Sequence, residues 1–258
     1  GTIVVDTLPF PSEGRELAAF ARRGGRRVAY LINTHSHLDH VAANYLFPEA
    51  ELVAHARTRE ALAGPMRQAL AQAAATFPEL RDVELRLPTI TLRNEGTIRH
   101  GGITVHLLHL PGHTYDAIGA YVEEERTLIA GDAVLPLPHF AGADPDSLMR
   151  TLLRLRSLSI HTIVQGHGDV ILKGEVKEAI EARINYLRQV RKYVASAVAQ
   201  GATLEEVQSS GVEAFGGSRL DLDGLTQQLH EANIAYLYEL YTRKEQPSVL
   251  RLPAEGQQ

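Results

Sequence analysis

The chain contains no cysteine in its 258 residues. That one absence excludes disulfides, thiolate metal ligands and a cysteine nucleophile, so any metal site must be built from histidine and carboxylate. Long apolar runs are missing as well. Nothing approaches the roughly 18 residues that a membrane-spanning helix requires, and no signal-peptide pattern opens the sequence. Excess positive charge is also absent: the formal net charge is -5 and the sequence pI is about 6.2. A phosphate-neutralising surface needs clustered Lys and Arg, and the short runs Arg22-Arg23 and Arg26-Arg27 read as solvated faces. The expectation is a soluble cytoplasmic protein acting on a small molecule, with neither nucleic acid nor membrane as partner. A hydrophobic content of 44% over this length supports a sizeable core.

What the sequence does hold is histidine, concentrated in one place. His35, His37, Asp39 and His40 follow directly on the apolar run Val28-Ala29-Tyr30-Leu31-Ile32. This reads as a strand that empties into a ligand-bearing loop. Imidazole and carboxylate suit a borderline divalent ion such as zinc, and side chains at i and i+2 beyond a strand end can turn onto one ion. Asp39 and His40 then face elsewhere, which makes room for a second ion. Two ions need more donors than these four, so the rest of the chain must supply them.

Thr2-Ile3-Val4-Val5 reads as a buried strand ended by Asp6-Thr7, Pro9 and Pro11. Ser12 is placed to cap a helix with Leu17, Ala18, Phe20 and Ala21 on its apolar face. With the strand at Val28–Ile32 the opening is βαβ, which favours parallel pairing. Val41 to Phe47 reads as helix, Glu51 to Ala54 as a short strand, and Ala56 to Thr76 as two helices broken at Gly64-Pro65. From Thr89 the period changes to that of strands, with Gly101-Gly102 placed as a hairpin turn.

Three further strands end in candidate donors: Pro111-Gly112-His113-Thr114, Gly131-Asp132 and Gly166-His167-Gly168. Ligand groups in open α/β sheets gather beyond the carboxyl ends of strands, so these loops are expected to converge on one edge. The adjoining glycines let the backbone turn where a Cβ would collide.

These motifs, in this order and with Asn44 downstream of the histidine cluster, resemble the metallo-β-lactamase-fold hydrolase superfamily from Thr2 to Leu172. The resemblance implies an α/β fold, a four-layer αββα sandwich with metals at one edge of its two sheets. It further implies that His35, His37 and His113 hold one ion, that Asp39, His40 and His167 hold another, and that Asp132 bridges them. Two features depart from the family pattern. The two or three strands that members place ahead of Ile3-Val4-Val5-Asp6-Thr7 have no counterpart in this sequence, and Leu8 stands where a glycine is usual. Branches with a cysteine ligand are excluded. Flavodiiron oxidoreductases carry a glutamate at the position of His37 and a fused flavodoxin domain, and the nucleases carry a large insertion, none of which is present. The glyoxalase II and lactonase-like branch remains, together with persulfide dioxygenases, which share much of the pattern but use a single iron.

The expected activity is therefore hydrolysis of a small ester, thioester, lactone or amide by two divalent ions, zinc first with iron or manganese as alternatives, through a bridging hydroxide that Asp39 and Asp132 orient. Tyr115 or His139 is expected to stabilise the oxyanion or protonate the leaving group. A mononuclear iron oxidoreductase is the rival reading, and a binding protein that kept the fold is a third. Residues 1–173 are assigned to the catalytic domain, 174–245 to a helical extension packed on it, and 246–258 to a tail. In the extension Glu175 to Ala199 forms one helix, Thr203 caps a second, and Leu225 to Tyr241 forms a third with Leu229, Ala232, Tyr236 and Leu240 on its apolar side. The extension is expected to wall the pocket together with the loop Leu135 to Ala143, or to pack on a second subunit in a homodimer. His55 is expected to orient a metal ligand, and His100, His106, His109, His161 and His230 to be structural or solvent-facing.

Overall fold

A computed structural model describes residues 1–243; the tail assigned to residues 246–258 lies outside the described residues. The chain opens with β1 (Thr2–Val5), α1 (Pro11–Ala21) and β2 (Val28–Ile32). There follow α2 (Leu38–Val41), β3 (Glu51–His55), α3 (Ala56–Ala63), α4 (Pro65–Thr76) and β4 (Ile90–Leu92). Strands β1 to β4 pair in sequence order, all parallel. A second sheet contains β5 (Gly96–His100), β6 (Ile103–His109), β7 (Ile118–Val122), β8 (Thr127–Gly131) and β9 (Thr162–Gln165). It is antiparallel through β8, and β9 then joins parallel to β8 after crossing over through α5 (Pro145–Ser157). Helices α6 (Val176–Ala199), α7 (Leu204–Gln208) and α8 (Thr226–Thr242) complete the described chain.

Alternation along the strands builds the layers. In β2, Leu31 packs with Val4, Ala18 and Phe47 on the α1 side, while its neighbour Ile32 joins Val53, Val105, Leu107 and Ile118 between the two sheets. Successive strand side chains point to opposite faces, so a five-residue strand serves two cores at once. The outer face of the second sheet is covered by α5, α6 and α8, whose Leu148, Leu152, Ile180, Ile184, Leu187, Ile234 and Leu237 are buried in one cluster with Leu128 and Ile163. The result is the αββα order of layers.

Several local expectations need correction. Helix α1 is capped at Phe10 and starts at Pro11, and Glu13 reaches back to accept from the Phe10 N–H at 3.4 Å. Proline at the first helical position starts the helix ahead of Ser12. Phe20 is exposed rather than on the apolar face, which is formed by Gly14, Ala18 and Ala21. Val41 to Phe47 is not one helix: α2 ends at Val41 and Ala42–Leu46 winds as 3-10 helix. In α8 the fully buried face runs through Thr226, His230, Asn233, Ile234 and Leu237, and the expected stripe flanks it half-buried. A hydrophobic pattern could not find that face, because Thr226, His230 and Asn233 are polar groups that obtain hydrogen-bond partners.

Candidate metal centre

Four loops leave carboxyl ends of strands and meet at one edge of the sandwich. The loop after β2 carries His35 and His37 and runs into α2, whose first residues include Asp39 and His40. The loops after β6, β8 and β9 bring His113, Asp132 and His167. Their donor atoms form two groups, His35, His37, His113 and Asp132 in one and Asp39, His40 and His167 in the other.

In the first group His37 Nδ1 lies 3.0 Å from His35 Nε2 and 3.2 Å from His113 Nε2. Asp132 Oδ2 is 3.3 Å from His113 Nε2 and 3.9 Å from His35 Nε2. In the second, Asp39 Oδ2 is 2.9 Å from His167 Nε2 and 3.3 Å from His40 Nε2. Asp132 Oδ1 faces this group, 3.3 Å from His40 Nε2 and 3.8 Å from His167 Nε2. The carboxylate of Asp132 therefore presents one oxygen to each group.

The other nitrogen of each buried imidazole has its own acceptor. Thr34 Oγ1 donates to Asp6 Oδ2 at 2.6 Å, which leaves its oxygen to accept from His35 Nδ1 at 3.1 Å. His40 Nδ1 donates to Asp6 Oδ2 at 2.8 Å, and His113 Nδ1 to the His139 carbonyl at 3.0 Å. Such acceptors fix the tautomer that leaves Nε2 bare for a metal. Desolvation by burial holds His35, His37 and His113 below the ordinary imidazole range, so they are neutral. His40 Nε2 and Asp132 Oδ1 are buried without a hydrogen-bond partner. Bare nitrogens facing one another, and a buried carboxylate oxygen lacking a donor, are what a cation between them satisfies; the donor set fits divalent metal.

Asp6, expected from the sequence only to end a strand, supports the donor loop. It stands at φ 58°, accepts from the Thr34 N–H at 2.7 Å and from the Thr34 hydroxyl, and holds His40. The signal was available in the βαβ reading, since parallel pairing of β1 with β2 puts the residue after Val5 beside the one after Ile32. Asp6→Ala is expected to lower metal affinity about tenfold to a hundredfold while leaving every donor in the chain. Competition with a chromophoric chelator measures this, and unchanged affinity would contradict the role.

His139 acts on the site through its backbone carbonyl, and its half-buried ring lies beside His113 with centroids 5.7 Å apart. The loop that carries it is clamped by Asn233 of α8, which accepts from the Phe140 N–H at 3.0 Å and donates to the Pro138 carbonyl at 2.7 Å. Arg183 of α6 donates to the Leu135 carbonyl at 2.8 Å and to Gln165 Oε1 at 2.9 Å, which ties that helix to two donor loops. Tyr115 is 66% exposed in a cleft adjoining the main cavity, which it shares with His37, His113 and His139. His55 does not orient a donor: Nδ1 accepts from the Arg57 N–H and Nε2 reaches the Arg93 carbonyl, so it caps α3 and holds the loop after β4. Asn44 is paired with Asn33 at 2.8 Å and 3.1 Å, which pins the donor loop onto the segment behind α2.

An αββα sandwich with clustered His and Asp side chains at one sheet edge presents a candidate site for divalent metal. Residues 1–167 match the Metallo-beta-lactamase superfamily, and the chain belongs to that family. It is 28% identical over 167 residues to hydroxyacylglutathione hydrolase of Methylobacterium nodulans, a match covering 64% of this chain and 57% of that protein. It is 36% identical over 93 residues to Beta-lactamase-like protein 2 homolog of Caenorhabditis elegans, covering 35% and 32%. The matches thus span between 32% and 57% of these relatives' lengths. Among solved structures, a metallo-beta-lactamase family protein from Thermus thermophilus superposes with TM-score 0.65 at 20% identity, covering 93% of this chain and 84% of that one. The sec-alkylsulfatase Pisa1 from Pseudomonas sp. superposes with TM-score 0.66 at 14% identity, covering 93% and 45%. The structural likenesses establish the fold. Among the described residues no helix is long and apolar enough to cross a membrane.

Proposed function

We propose that this chain is a dinuclear metal-dependent hydrolase of a small ester, thioester, lactone or amide. The observation that carries the reading is Asp132, whose two oxygens face two separate donor groups. A second group of three donors supports two ions over the single iron of a dioxygenase. Bound there, two divalent ions supply an acidified water and a positive field for the attacked carbonyl. Zinc suits the nitrogen and oxygen donors, with iron or manganese as alternatives.

The chain's own residues hold and orient the reacting groups. Asp39, with its side chain 37% exposed, stays ionised: against the opposing effect of burial, the imidazoles of His167 and His40 facing it hold its carboxyl well below the usual range. It is placed to accept a hydrogen bond from an attacking water. Asp132 is likewise held low, burial being outweighed by His40, His35 and His113. His139 lines the cavity, and burial lowers its pKa, so its neutral ring can donate one hydrogen bond to the leaving group. The exposed Tyr115 hydroxyl opens on the adjoining cleft and is assigned no step. Hydrolysis by the zinc-loaded protein of a panel of one ester, one thioester, one lactone and one amide tests the reading. Chelator-sensitive turnover of at least one class is expected; turnover of none would contradict it.

Metal binding also has a pH signature. In the metal-free protein, burial by itself lowers His40, yet the charge and hydrogen bond of Asp6 and the nearby carboxylates of Asp132 and Asp39 push it up to about 12 from 6.5. A raised folded-state pKa gives stability that is complete below 6.5 and lost as pH rises towards 12. Chelator-treated protein is therefore expected to melt at progressively lower temperature between about pH 7 and about pH 10. Zinc-loaded protein, with the proton displaced, is expected not to follow this trend. Parallel thermal scans check it; identical slopes with and without zinc would contradict the coupling.

A further inference from the structure

The cavity over the metal donors has a volume near 910 Å³, within the range of sites that enclose small organic ligands. Its inner side carries His37, Asp39, His113, Asp132 and His167. The same cavity is lined by Leu220, Leu222 and Leu225 of the segment between α7 and α8, by Leu229 of α8, and by Leu135. Leu220 is 88% exposed and Leu225 52% exposed, so large apolar side chains stand in water at the mouth of a polar site. Isolated exposed leucines need no explanation, but two exposed and two half-buried leucines lining the cavity that holds the reactive groups do.

The backbone of this segment holds an unfavourable shape. Leu222 and Asp223 stand at φ 52° and 53°, a left-handed region that side chains with a Cβ rarely adopt. The turn is closed by the Leu225 N–H on the Leu222 carbonyl at 3.0 Å and by the buried Thr226 hydroxyl on the Ser218 carbonyl at 2.5 Å. The fold thus keeps Leu222 against the cavity, while Asp221 and Asp223 are exposed on the rim.

We propose that the leucine segment is the binding wall for an extended apolar acyl or alkyl group of the substrate, whose scissile carbonyl lies at the metal donors. This rests on the metallohydrolase reading and narrows it: the preferred substrate carries an unbranched apolar chain, and the energy of recognition comes from covering leucine surface. The wall is on the same cavity as the donors, so the chain and the carbonyl belong to one molecule.

The test uses straight-chain alkyl hydroxamates, which chelate metal through their head group, against the zinc-loaded protein by calorimetry. From acetohydroxamate to octanohydroxamate the Kd is expected to fall about twofold to fourfold per methylene, about fifty-fold or more in total. L220D and L225S, both at exposed positions, are expected to flatten that dependence while leaving acetohydroxamate affinity and zinc content unchanged. A Kd that is flat with chain length, or a dependence that survives both variants, overturns the inference and leaves the metallohydrolase reading standing. Failure of acetohydroxamate to bind overturns both. A shift of L220D from dimer to monomer by light scattering, with chain-length dependence intact, would assign the leucines to a second copy of the chain and overturn the inference.

Discussion

Asp132→Ala is expected to leave fewer than two ions per chain and to slow hydrolysis by at least about a thousandfold, several kcal/mol of lost transition-state stabilisation. The carboxylate is buried, lies 3.3 Å from both His113 Nε2 and His40 Nε2, and is the group through which the two donor clusters meet. Its loss leaves the first group with three imidazoles and the second without an oxygen from β8. Metal analysis and turnover on the same preparation measure the outcome. A variant with two ions and near-normal turnover would remove Asp132 from the site.

Gly166→Ala is expected to have a similar effect without touching a donor. A methyl carbon there would overlap Asp132 Oδ1 and stand 2.9 Å from the Gly131 carbonyl carbon and 3.0 Å from the Asp132 amide nitrogen. Gly166 does not use the left-handed region, so alanine is allowed by the local backbone and the consequence falls on the carboxylate. Gly131 differs, because at φ 51° it needs glycine for its conformation as well as for the approach of Thr34. Displacing the Asp132 carboxylate by the ångström or more that this overlap demands is expected to cost about tenfold to a hundredfold or more in metal affinity, with the far-ultraviolet spectrum unchanged. Full metal retention in a folded Gly166→Ala protein would show that the carboxylate has slack the structure does not suggest.

Much of the candidate site's placement was legible because each candidate donor follows a strand. His35, His37, Asp39, His40, His113, Asp132 and His167 lie beyond the ends of apolar runs, and the parallel pairings of β1 with β2 and of β8 with β9 carry those ends to one edge. The αββα layering followed from the βαβ opening, the change of period near Thr89 and the family resemblance. What was not legible depends on tertiary partners. Asp6 looked like a turn because its two clients, Thr34 and His40, are distant in sequence. Asn233 fell outside every apolar stripe, yet it is fully buried because Pro138 and Phe140 supply its partners. His55 had the right type and a strand-end position for a supporting role at the metals, but the Arg57 N–H and Arg93 carbonyl claim both its nitrogens. Phe20 sits at helical spacing with Leu17, and only the position of the first sheet decides that it faces water.

The measurement closest to the central claim is the number of metal ions held per chain, determined by elemental analysis after zinc loading and removal of free metal, beside the hydrolysis rate of the same sample. Two ions per chain are expected, with hydrolysis that a chelator abolishes and zinc restores. One tightly held iron per chain with oxygen consumption, or full hydrolysis by a metal-free sample, would contradict the account.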